Sequence, residues 1–154
     1  MNIANEIARH IREIHSGVNW TQVNMKEVLS DIHYEEAIER PVSENSIAVL
    51  VYHMNFYLNI VHERLKGGGL AFNHEDSFII SSMQSEDDWQ KLIGKTFADA
   101  ENFAQRIERF PEGKLFDEIS AETGSYYKNM HGVAEHNHYH LGQIVLLKKI
   151  IRQL

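Results

Sequence analysis

Apolar residues recur at helical spacing through four long segments of this 154-residue chain, and its only two prolines, Pro41 and Pro111, both fall between those segments. The first segment runs from about Ile3 to His15, with Ile3, Ile7, Ile11 and Ile14 on one face, and Ser16-Gly17 reads as its glycine stop. The second opens after Ser43-Glu44-Asn45-Ser46 and runs to Lys66. Its stripe is Ile47, Leu50, Met54, Tyr57, Leu58, Val61 and Leu65, and Gly67-Gly68-Gly69 ends it. The third opens at Ser85-Glu86-Asp87-Asp88, a capping-box-like start with Asp88 in the usual Glu place. It continues through Trp89, Leu92, Ile93, Phe97, Ala100, Ala104 and Ile107 to Phe110. The fourth spans Tyr126–Ile151. Between the first two, Trp20 through Arg40 reads as one or two short helices closed by Pro41.

No segment alternates convincingly as a strand would, so the expected fold is all-α, with residues 1–154 as one domain. The connection Gly67–Gln84 is long for neighbouring helices and carries Phe72, Phe78, Ile79 and Ile80. It reads first as a packed excursion, with a lid or a subunit contact as the alternatives.

Composition removes several function classes. With no cysteine, a thiolate zinc site, a cysteine nucleophile and a disulfide scaffold are excluded. A net charge of −7, with no basic block beyond Lys148, Lys149 and Arg152, argues against nucleic acid as a partner. Met1–Gly17 carries Glu6, Arg9, Arg12 and Glu13, unlike a signal peptide, and no apolar run is long enough for a membrane span. The expectation is a soluble, cytoplasmic protein without a membrane partner.

The fourth segment places histidines where leucines would ordinarily lie. Stepping 100° per residue from His140, the residues Tyr126, Asn129, Val133, His136, Ile144, Leu147 and Ile151 fall within about 40° of its direction. His136 and His140 therefore stand one turn apart on the apolar stripe, the spacing that lets two imidazoles reach one metal ion. Two core histidines bonded to carbonyls or water are the plainer alternative. His131 and His138 fall on the opposite side and read as solvated, as does Glu135. A catalytic zinc-like site needs a third protein ligand, and periodicity does not choose it: His53 and His62 flank the second stripe on either side, with His53 favoured by its neighbours Val49, Tyr57 and Ile60.

The stretch Met130-His-Gly-Val-Ala-Glu-His-Asn-His-Tyr-His-Leu-Gly-Gln-Ile144 resembles the C-terminal signature of the DinB-like superfamily, His-x-x-x-His-[Arg]-Gly-Gln-Ile. Ser46-Ile-Ala-Val-Leu-Val-Tyr-His53-Met resembles that family's second helix, whose histidine is the remaining ligand. Trp20 and Ala37-Ile-Glu-Arg-Pro41 fit its lead-in, so the similarity covers essentially the whole chain. Leu141 departs from the pattern, standing where many members have Arg, which bears on the surroundings of the ligands or on an anionic-substrate contact. The resemblance implies an up-down four-helix bundle with a long crossover connection and short helices in the first connection. It also implies a divalent metal at His53, His136 and His140, and a homodimer. Three neutral nitrogens suit zinc, nickel or iron rather than magnesium or calcium.

Such a site can activate a low-molecular-weight thiol for transfer, as in thiol-dependent members of the superfamily, or water for hydrolysis of an amide or ester. The third reading is a non-catalytic metal-binding or interaction bundle. No general base stands out: Gln143 and Tyr57 read first as packing residues, with orienting a ligand or lining the pocket as their alternatives. His-Glu-x-x-His is absent, and the one Glu-x-x-His match, Glu135–His138, faces outward, so zincin and di-iron sites are excluded. There is likewise no elbow motif for a Ser-His-Asp hydrolase.

Overall fold

The computed structural model describes residues 2–42, 44–68, 71–80 and 83–154, so Ser43 and Gly69, both placed at helix boundaries from the sequence, lie outside the described residues. The described residues are mostly helical. In chain order the helices are α1 (Ile3–Ser16), α2 (Met25–Leu29), α3 (Tyr34–Ile38), α4 (Ile47–Leu65), α5 (Glu86–Glu108) and α6 (Tyr126–Ile151). Short 3₁₀ turns occur at His74–Phe78 and Glu112–Lys114.

Each long helix begins on a side chain that satisfies an otherwise orphaned N–H. Asn2 accepts from the Asn5 amide, Ser46 from Val49, Ser85 from Asp88 and Ser125 from Lys128. At α5 the capping box is reciprocal in effect, since Asp88 Oδ2 accepts from the Gln84 amide at 3.1 Å and from Ser85 Oγ at 2.9 Å. The two glycine stops work differently. Gly67 has φ +87, the left-handed conformation that ends α4, and Gly68 donates back to the Glu63 carbonyl at 3.1 Å. Gly17 is extended instead; its need is for space, because an added Cβ would lie 2.9 Å from the Glu13 Cα.

The four long helices pack chiefly in a closed order: α1 against α5 and α6, and α4 against the same two. Facing two neighbours, α6 is buried over a wide arc that includes Met130, Val133, Ala134, Asn137, His140, Leu141, Ile144 and Leu147. Trp89 and Phe103 of α5 are the largest fully buried side chains, and Trp89 Nε1–H donates to the Ile32 carbonyl at 2.8 Å. That bond ties the α2–α3 connection to α5. Arg12 of α1 reaches Glu101 and Glu108 of α5, while Lys148 and Arg152 at the end of α6 pair with Asp31 and Glu36. Hydrogen bonds from Lys148 and then Arg152 hold the Asp31 carboxyl down at about 2. Among the described residues no helix is long and apolar enough to cross a membrane.

The sequence reading missed one element. Glu118–Ser120 (β1) and Gly124–Ser125 (β2) form an antiparallel hairpin that leads into α6. Strands of three and two residues are too short to show alternation. Gly124, the first residue of β2, takes φ +77, a conformation a side chain would strain.

Candidate metal centre

α4 and α6 lie side by side, and each presents histidine toward the other. His136 Nε2 is 3.1 Å from His53 Nε2 and 3.1 Å from His140 Nε2. One ligating nitrogen from each of the three residues lies within 4.8 Å of the others, close enough to bind one metal ion. For comparison, tetrahedral zinc with Zn–N of 2.0–2.1 Å separates its nitrogens by about 3.3 Å. His62, the other histidine flanking the α4 stripe, is half-buried against Phe103 of α5 and takes no part.

The outer nitrogens decide which ring atoms are free. Ser77 Oγ–H donates to the His74 carbonyl at 2.6 Å, so its oxygen accepts from His53 Nδ1–H at 2.8 Å. Gln143 Oε1 accepts from His140 Nδ1–H at 2.7 Å. Both rings therefore carry their proton on Nδ1 and turn an Nε2 lone pair toward His136. A proton on His136 Nε2 can serve only one of the two well; a cation serves all three. Burial, and then the neighbouring rings, push His53 and His136 down to about 4, and burial also lowers His140. The neutral imidazole that results is the ligating form. Buried His136 Nδ1 has no partner among the described residues, which makes this ring the least anchored of the three.

The connection between α4 and α5 packs against the site, so its described part is a packed excursion, as first read, and the residues it packs there are in contact with the histidines. Its 3₁₀ turn brings Ser77 to His53 and stacks the Phe78 ring on that imidazole at 4.2 Å. His74 Nδ1 lies 2.5 Å from the Tyr57 hydroxyl. The Tyr57 ring, 5.1 Å from His53 and 5.0 Å from His136, lines the site instead of disappearing into the core. Gln143 is likewise an orienting residue, not a packing amide. From sequence Phe78 stood out only as an apolar residue of the connection, and Ser77 and His74 not at all, since loop residues carry no periodic signal.

Glu135 is exposed, as read. His138 is half-buried rather than solvated, with Nε2 3.1 Å from His10 Nε2 on α1, and His131 is half-buried with its ring stacked on Tyr127 at 5.7 Å. Leu141 is 2% exposed and lines a separate pocket with Thr21 and His138, so its position gives no access to the three-histidine cluster. Trp20 is 98% exposed. A groove of about 520 Å³ runs along Val28, Val145, Lys148 and Arg152, but none of the three histidines lines it. A pocket of about 260 Å³ is lined by His136, Tyr57, Val61, Arg64, Lys128 and Asn129, among others.

Comparison with known proteins finds no family model, no curated protein and no solved structure that matches the chain.

Removing either hydrogen-bond partner of the His53 and His140 rings has an expected consequence. Gln143→Leu and Ser77→Ala each weaken zinc affinity by roughly 10–100-fold, the usual cost of losing a group that orients a ligating imidazole. Competition against a chromophoric chelator measures this. Unchanged affinity in both variants would mean that these bonds do not set the ring orientation.

Proposed function

We propose that this chain is a DinB-like four-helix-bundle protein. On this reading it holds one divalent transition metal at His53, His136 and His140 and activates a low-molecular-weight thiol for transfer. The observation that carries the reading is the convergence of three Nε2 atoms, two of them deprotonated by the bonds their rings make to Ser77 and Gln143. Packing of α1 and α4 each against α5 and α6 supports the bundle. The connection from α4 to α5 is the long crossover, and α2 and α3 are the short helices of the first connection. Zinc and nickel suit three neutral nitrogens best, with iron as the further candidate.

When bound, such an ion supplies Lewis acidity toward a thiol or a water. The chain's own residues do the remainder. Ser77 and Gln143 fix the His53 and His140 rings, Phe78 and Tyr57 wall the site with aromatic surface, and the Tyr57 hydroxyl with His74 forms a polar pair at its edge. Among the described residues the cluster stops at three ligands, which favours a catalytic over a structural ion, since structural sites ordinarily take four. Hydrolysis is the second reading, because the same ion serves water as well as thiol. A homodimer belongs to the proposal too; Val18, Trp20, Tyr139 and Leu146 are apolar side chains left exposed for such a contact.

Elemental analysis of untagged wild-type protein tests this first, with about one equivalent of metal expected. Thiol-transfer and hydrolase screens with the ion found then separate the two reactions. No metal after reconstitution with Zn²⁺, Ni²⁺ and Fe²⁺ would leave the histidines structural, and an interaction bundle would be the account to adopt.

A further inference from the structure

We infer that the pocket beside His136 takes a small elongated ligand with an anionic end, held by the Arg64 guanidinium and the Lys128 ammonium. This deepens the reading above by naming the ligand class of the same site, and it rests on that reading only for the ligand's reacting end.

The inference begins with a local inversion of charge. The chain carries 22 acidic against 15 basic residues, yet the pocket is lined by Arg64 and Lys128 and by no carboxylate. Neither cation belongs to an ion pair among the described residues; about half of the chain's other Lys and Arg residues do, so it is the joint placement of these two on one pocket that matters. Arg64 is half-buried, where an unneutralised charge is costly unless something compensates it.

What holds Arg64 is neutral. Its Nη1 donates to Asn129 Oδ1 at 2.8 Å. Asn129 is itself fixed, its Nδ2 donating to the carbonyls of Thr123 and Ser125, both at 2.9 Å. The guanidinium also sits 5.8 Å from the centroid of the Phe72 ring. Orientation is thus supplied by an amide and an aromatic face, and the charge is left for a ligand. A guanidinium has five N–H donors in a planar fork suited to a carboxylate or phosphate, and one of them is used here among the described residues. The hairpin missed from the sequence has a role in this: Thr123 in its turn and Ser125 at its end fix Asn129.

The ligand's dimensions follow from the helices. Asn129 and His136 are seven residues apart on α6, about 10 Å along the axis. The anionic end therefore lies about two turns from the histidines, with Tyr57 and Val61 along the way. At about 260 Å³ the pocket is near the small end of ligand sites, which run from roughly 300 to 1,000 Å³.

Two thiols of one length and different charge test the proposal: 6-mercaptohexanoate and 6-mercaptohexanol, titrated calorimetrically into zinc-reconstituted protein. At least a tenfold preference for the carboxylate is expected in wild type, falling to near parity in Arg64→Gln and reduced in Lys128→Gln, with zinc content unchanged in each. Equal affinities in wild type, or a preference that survives the double substitution, would overturn it. Succinate and inorganic phosphate titrated into metal-free protein, followed by amide chemical shifts, separate this from the metal reading. Arg64-dependent shifts around Asn129 in a protein that binds no zinc would retain the anion pocket and discard the metal. Zinc binding without any charge preference would do the reverse. If Arg64→Gln fails to fold by circular dichroism, the wild-type charge comparison and Lys128→Gln decide the matter.

Discussion

A His140→Ala chain is expected to lose its zinc-dependent stabilisation entirely. In wild type, free zinc at a hundred times its Kd adds about 2.7 kcal/mol to unfolding stability by mass action. With His140 gone, His53 and His136 remain as two ligands on different helices, and the Gln143 side chain has no ring to orient. The zinc-induced rise in melting temperature should vanish. Metal-free His140→Ala should melt close to metal-free wild type, since the deletion also removes one of two lone pairs facing His136. A variant still stabilised by zinc to the wild-type extent would place the binding site elsewhere. The pH dependence has a definite sign. The folded state holds His53 and His136 at about 4 against an ordinary 6.5, so the unfolded chain binds more protons between those values. Metal-free protein therefore loses stability as pH falls through the window from about 6.5 to about 4, and bound metal is released over the same fall because protons compete for the nitrogens.

Trp89→Ala should be the most damaging single change in the core. The side chain is fully buried, and its indole N–H satisfies the Ile32 carbonyl in the α2–α3 connection. Truncation opens a large cavity and orphans that carbonyl, for an expected loss of about 3–5 kcal/mol. Small domains have only about 5–15 kcal/mol to lose, so the variant should unfold at much lower urea or fail to fold. Trp89→Phe should recover part of the loss, because the ring volume returns while the hydrogen bond does not. A Trp89→Ala midpoint within experimental error of wild type would mean that α5 does not pack as described.

Legibility from sequence followed the physics of each feature. All four long helices could be read because their apolar residues repeat at 3.6; for α4 and α5 the serines at the start were legible too, and α5 opens at Ser85 as read. His136 and His140 were legible as a pair for the same reason. His53 was not, on periodicity alone: it and His62 flank one stripe, and what separates them is the 3₁₀ turn that sets Ser77 and Phe78 on His53. That turn, the 118–125 hairpin and the Asn129–Arg64 bond depend on where loops return in space, which a helical wheel does not encode. Gln143 misled for a related reason. Its place at the edge of the stripe suits a packing amide equally well, and only the His140 Nδ1 contact tells the two apart.

The most direct test of the central claim is an anomalous difference map, at the zinc edge, from crystals of the zinc-reconstituted protein. The account predicts one strong peak bounded by the Nε2 atoms of His53, His136 and His140. A map with no peak there, or with its strongest peak between His10 and His138, would contradict it.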